Sequence, residues 1–287
     1  MQSFDNKRFH SFRADANALG GFLKEPLDKH IPTLAPVSLS AAGGFATARS
    51  GAFNLDEVVS CASAYTLVTG RESESGESQS EGSISTLTTA VVEDLNILEV
   101  VTAERIVAQI AVTIPNGKGP RRISLAGSRF EGLRLAGRDC VPKLNLALHQ
   151  PIGNGGHGLP LTWGTIRRAG QSQADKLMGW FEGRGKGAFE WAKSRHGWMT
   201  TSASQLEEGD PLLCSLVDGF EGSESNGHCG HIVEIPGFGR IILGELRVSR
   251  DSVQLVSIRA ELGCPIRGVV TGPTPAMSGG GGQGNAD

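Results

Sequence analysis

A chain of 287 residues with Lys+Arg 27 against Asp+Glu 30 carries a formal charge of -3, which excludes a dominant electrostatic pull toward nucleic acid or an anionic membrane. No window approaches the roughly 18 apolar residues of a membrane span, and residues 1–20 hold no apolar signal-peptide core, so a cytoplasmic location with no membrane partner is expected. Cys61, Cys140, Cys214, Cys229 and Cys264 are scattered and lack CxxC spacing, as expected of reduced thiols packed as small apolar side chains. Gly 40 is about twice the ordinary ~7% and requires many turns.

In chain order, Phe12, Ala14, Ala16 and Ala18 alternate with polar residues as in a first strand. Pro26, Pro32 and Pro36 are expected to bar regular structure up to Val37. Gly43-Gly44 reads as a turn. Residues 58–69 are β-branched and small, with Val58, Ala62, Ala64, Thr66 and Val68 on one face of a strand. Residues 71–82 (RESESGESQSEG) have no apolar side chain to bury and predict a mobile surface loop. The strongest β signal follows. Ile106, Ala108, Ile110, Val112 and Ile114 are every second residue, and Asn116-Gly117 predicts a turn back. Leu144, Leu146 and Leu148 continue a meander. A short echo links Leu55-Asp56-Glu57-Val58-Val59-Ser60 to Ile97-Leu98-Glu99-Val100-Val101-Thr102.

Residues 151–211 differ. Ser172 and Asp175 make a capping box ahead of Ala174, Leu177, Met178 and Phe181 at helical spacing, and Ala188, Trp191 and Ala192 fit a second helix beyond Gly183, Gly185 and Gly187. All four tryptophans fall here, so the segment reads as an insertion or cap on a β body. Residues 231–263 form a hairpin about a loop of Arg250, Asp251 and Ser252. Its expected register sets Leu246 across from Val256, Gly244 from Ile258 and Ile242 from Ala260. Glu245, Arg247, Ser257, Arg259 and Glu261 then share a solvated face, with Glu245 in diagonal reach of Arg259. The Gly-rich residues 272–287 are expected to be disordered.

Gly153-x-Gly155-x-x-Gly158 matches a nucleotide fingerprint in letters only, because Leu159-Pro160-Leu161 follows where a helix should open. His228, Cys229 and His231 form the nearest thing to a zinc site, with Cys214 or Cys264 as a fourth ligand, but adjacent His228 and Cys229 point differently in an extended segment. Neither GxSxG nor HExxH occurs. Basic residues interleave with aromatics between Arg167 and His196, where Trp163, Trp180, Trp191 and Trp198 with Arg184 and Lys186 make the candidate ligand surface.

Ile235-Pro236-Gly237-Phe238-Gly239-Arg240-Ile241-Ile242-Leu243-Gly244-Glu245-Leu246, followed by Arg259-Ala260-Glu261-Leu262-Gly263-Cys264-Pro265, resembles segments of uncharacterised β-rich hypothetical proteins of bacterial genomes. Residues 83–137, with LTTAVVEDLNILEVVTAERIVAQ, are similar to them as well. About half the chain is covered. The resemblance implies an antiparallel β architecture and a bacterial origin, and brings no activity or functional residue.

The expected fold is mainly β: an antiparallel sandwich or partly closed barrel from residues 1–150 and 212–271, with a small helical insertion at 151–211. Three functions fit. A non-enzymatic binding or self-assembling protein, with a homo-oligomer or protein partner, ranks first. A small-molecule or glycan-binding protein that uses the tryptophans follows. An enzyme whose residues converge only in space is third. No cofactor is implied beyond the zinc alternative.

Overall fold

A computed structural model describes residues 11–73, 82–115, 121–149, 161–202, 205–221 and 227–278. The first strands are β1 (Ala14–Asn17), β2 (Leu19–Leu23), β3 (Lys29–Leu34) and β4 (Val37–Ser38). Phe12, Ala14, Ala16 and Ala18 are buried as their alternation predicts. Pro32, however, lies inside β3, contrary to the irregular stretch expected there. Among the described residues β3 pairs with β2 alone, and an edge strand can lose an outward amide to proline without breaking the ladder.

Next come β5 (Gly44–Ser50), β6 (Phe53–Leu55), β7 (Val59–Cys61), β8 (Ser63–Ser73), β9 (Ser83–Ile97) and β10 (Val101–Pro115). Ala64, Thr66 and Val68 are buried on one face of β8, whereas Ala62 is exposed between β7 and β8. Arg71 pairs with Ser85 and Ser73 with Ser83, so the start of the expected loop is strand; residues 74–81 lie outside the described residues. In β10, Ile106, Ala108, Ile110 and Val112 are buried as predicted. The short strands β11 (Arg122–Ser124), β12 (Arg129–Glu131), β13 (Arg134–Leu135), β14 (Arg138–Asp139) and β15 (Pro142–Leu144) complete this half. β15 leaves the meander to pair with a later strand, and Leu146 is 77% exposed.

The Leu55/Ile97 echo marks two hairpin ends. Asp56 and Glu57, like Leu98 and Glu99, take positive φ, as two-residue hairpin turns demand. In each turn the glutamate amide donates to an asparagine two residues before the turn, Asn54 Oδ1 at 3.0 Å or Asn96 Oδ1 at 2.7 Å. The Leu98 amide donates to Val58 O and the Ala136 amide to Val100 O, so the turns of β6–β7, β9–β10 and β13–β14 stack side by side.

Helices α1 (Trp163–Glu182) and α2 (Lys186–His196) follow. α1 begins well before the expected capping box: Thr162 is its N-cap, accepting from the Thr165 amide at 3.2 Å, and Ser172 sits mid-helix. The rest of the chain is β16 (Leu212–Ser215), β17 (Val217–Phe220), β18 (His228–Cys229), β19 (Ile232–Ile235), β20 (Gly239–Val248), β21 (Ser252–Gly263), β22 (Arg267–Thr271) and β23 (Thr274–Ser278). β23 corrects the expectation that everything past residue 272 is disordered. It pairs with both β1 and β21, and Thr274 and Met277 are buried; residues 279–287 lie outside the described residues.

The protein is mainly β and antiparallel. One sheet runs β18-β19-β20-β21-β22-β2-β3 and also holds β1, β4, β16 and β23. The other runs β14-β13-β10-β9-β7-β6 with β5, β8, β11 and β12, and β15 pairs with β17. Side chains of both sheets fill two shared cores, one around Leu95, Ile106, Leu243 and Ile258 and one around Ala90, Ile110, Leu246 and Leu255. This is sandwich packing, and the described strands close no barrel.

The long β20–β21 hairpin belongs to both cores. Beyond Gly244 its neighbours change, from β19 and β22 to β16 and β23. Its register is one residue from the expected one: Val248 faces Val253, Leu246 faces Leu255 and Leu243 faces Ile258. Gly244 is the physical reason for the change of face. At φ +61 it interrupts the alternation, so Ile241 and Leu243 point into one core while Leu246 and Val248 point into the other.

Candidate functional site

The phase change at Gly244 puts Glu245 and Arg247 on the outer face with Arg259. That face is covered rather than solvated, because the helices lie on it: Leu177 and Phe181 of α1 and Ala192 of α2 pack with Ile232 and Ile242. Arg195, in the last turn of α2, donates to both carboxylate oxygens of Glu245, at 2.8 and 2.7 Å. Arg259 is 3.3 Å and Arg247 3.6 Å from the same carboxylate, and Arg195 is 3.6 Å from Glu261. The expected Glu245–Arg259 approach is therefore present, but Glu245 is 1% exposed. A carboxylate so buried is tolerated because it is paired. Burial holds the Arg259 pKa below its usual value, with Glu245 acting in the opposite direction. Three guanidiniums meet two carboxylates, leaving one positive charge in excess.

Beside this cluster is a groove of about 790 Å³ between the end of α2 and the outer face of the hairpin. Its charged walls are Arg195 and half-exposed Arg247. Trp191 and Trp198 supply flat apolar walls, and Ser194, Ser249, Ser252 and Gln254 supply hydrogen-bonding groups. Trp191 is held between neighbours, with Phe181 at 5.5 Å and the Arg240 guanidinium 4.3 Å from its ring centre. Trp198 is 40% exposed, yet its indole donates to Arg195 O at 2.9 Å, which fixes the ring at the groove. The groove can hold an anion and a flat face at once.

Of the predicted ligand residues, Trp191 and Trp198 come together and the others do not. Trp163 lines a second hollow and donates to Asp210 O at 3.3 Å. Trp180 packs edge-on against Phe181 at 4.7 Å under the Arg184 guanidinium, which also pairs with Glu234 at 3.2 Å. Lys186 is exposed at the start of α2. Arg195 falls within the basic and aromatic stretch read from the sequence but was not singled out, and Arg247 was placed on a solvated face; the signal that marks Arg247 is Gly244, three residues earlier within the strand.

The proposed metal trio diverges. His228 packs on Phe220 with ring centres 5.1 Å apart, Cys229 approaches Lys176 O at 3.7 Å across the helix side, and His231 turns inward to His196 at 5.8 Å. Among the described residues no group of three His, Cys, Asp or Glu is arranged to hold a metal. Burial raises the Cys229 and Cys214 thiols, and Cys264 is engaged with Ile266 O. The glycine fingerprint at 153–158 lies outside the described residues.

His196 and His231 form a different pair. Both are buried, and His196 Nε2 and His231 Nδ1 have no hydrogen-bond partner among the described residues. Each pKa is lowered to about 3, first by burial; His231 and Arg195 add to the shift of His196 and Arg195 to that of His231, while Glu245 opposes the shift of His196.

Fold and groove together define an antiparallel β-sandwich with two helices laid on one outer face and an arginine–tryptophan cleft at their end. The chain matches a domain of unknown function, DUF8256, over residues 10–249, and belongs to that family. No curated protein and no solved structure matches it. The family match ends at the hairpin tip, although β21 to β23 complete the first sheet. Among the described residues no helix is long and apolar enough to cross a membrane.

Proposed function

We propose that the protein is a non-enzymatic binding protein whose groove takes a small organic anion with a flat apolar face, such as a sugar acid. One observation carries this reading: Arg195 and Arg247 line the same concave wall as Trp191 and Trp198, with no carboxylate among the groove's lining residues. The volume is that of an ordinary small-ligand site. Five free cysteines are in keeping with a cytoplasmic setting. Tryptophan fluorescence titrated with digalacturonate tests the assignment. The expected result is a saturable change that Arg247→Ala or Trp198→Ala abolishes and that neutral maltose does not reproduce. Equal responses to the neutral and acidic sugars would overturn the anion assignment.

A second reading, self-association, is favoured by β5. This strand pairs only with β8 among the described residues, and Phe45 on it is 65% exposed. A monomeric mass by light scattering at high concentration would remove it.

A further inference from the structure

We infer that the ligand is longer than the groove: an acidic oligosaccharide that crosses the tip of the β20–β21 hairpin and occupies a second hollow on its other side. The inference rests on the binding function proposed above.

The second hollow has a volume of about 640 Å³ and is lined by Arg121, Trp163, Glu208 and Arg250. It shares Val248 and Ser249 with the groove, so the two depressions have a common wall. Across the joined surface the lining charges are four arginines and one carboxylate. Two of these arginines are tied in place at the hairpin tip, Arg121 by its side chain and Arg250 by its backbone. Arg121 donates to Ser249 O at 3.1 Å, and the Arg250 amide donates to Gly209 O at 3.1 Å. Trp163 is also fixed, by its bond to Asp210 O and by the Arg167 guanidinium 5.4 Å from its ring centre. Each hollow thus repeats the same recognition elements, an anchored indole beside arginines, with Ser249 between them.

This repetition fits a chain of similar units carrying spaced charges. Indoles stack on the apolar faces of sugar rings, while Ser249, Ser252, Gln254 and Thr162 line the path and match sugar hydroxyls. A nucleic acid would bring denser negative charge, which a protein of formal charge -3 does not attract over its surface as a whole.

The test is titration calorimetry of the full chain with galacturonate oligomers from dimer to octamer. Affinity is expected to rise about tenfold or more once the oligomer spans both hollows. Trp163→Ala and, separately, exposed Arg250→Ala are expected to remove the octamer's advantage over the dimer, with circular dichroism checking the fold. A dimer that binds as tightly as the octamer, or an octamer advantage that survives both substitutions, would overturn the inference and leave the single-groove function standing. Failure of the dimer itself to bind would overturn that function too. Equal or tighter binding of a single-stranded oligonucleotide of matched charge would replace the sugar assignment.

Discussion

Lowering the pH from about 7.5 to about 5 is expected to remove about 4 kcal/mol of folding stability through two buried rings, His196 and His231. In the folded protein both have a pKa near 3, while an unfolded histidine titrates near 6.5. Above pH ~6.5 neither state binds the proton, and the rings add no pH dependence. Between about 6.5 and 3 the unfolded chain takes up protons that the folded rings refuse, so stability falls as the pH falls, by about 1.4 kcal/mol per ring and pH unit. At pH ~5 that is about 2 kcal/mol for each ring, a large share of a typical ~5–15 kcal/mol. The surroundings support the sign. Arg195 lies beside both rings, His196 packs edge-on against Trp191 and His231, and Glu245 alone pulls the other way. Urea unfolding at the two pH values, for the wild type and for a His196→Asn/His231→Asn double variant, cancels the carboxylates common to both. The wild type should lose about 4 kcal/mol more than the variant over the interval. Equal losses would refute the reasoning, since they would mean that the folded rings titrate normally.

Glu245→Ala should cost about 3–5 kcal/mol in the same assay, because it leaves Arg195 and Arg259 facing each other under α2 without their carboxylate; a loss below about 1 kcal/mol would mean the cluster is solvated. Gly244→Ala should cost about 1–3 kcal/mol, since φ is +61 and the added Cβ would stand 3.0 Å from Leu216 Cβ. Gly219→Ala, whose Cβ meets nothing within 4 Å, is the control and should be much milder.

What could be read from the sequence was whatever depends on neighbours in the chain. β10 declares itself because from Ile106 to Val112 one face stays buried, so Ile106, Ala108, Ile110 and Val112 keep strict period two. The hairpin was visible too, but a single left-handed glycine shifts its faces, and no alternation rule counts through such a residue. The length of α1 was hidden by Gln173. It is polar in the sequence yet buried, because its amide takes the place of a strand partner for Ser215: it donates to Ser215 O at 2.9 Å and accepts from the Ser215 amide at 2.7 Å. β23, only five residues long and containing Pro275, has little intrinsic strand character and exists because β1 and β21 flank it. The groove is the least local feature of all. Arg195 and Glu245 are 50 residues apart, and whether Glu245 is solvated depends on a helix whose position no nearby residue announces.

The change of neighbours along the β20–β21 hairpin also bears on how the molecule breathes. One end of the hairpin clamps β19 and β22, the other β16 and β23, and each end feeds a different core. Peeling the sheets apart at either end would pull on the same two strands. The halves should therefore melt in one transition, and the amides of these two strands should exchange with solvent only when the whole molecule opens. A groove mounted on such a spine inherits its rigidity, so a ligand would meet walls already in place.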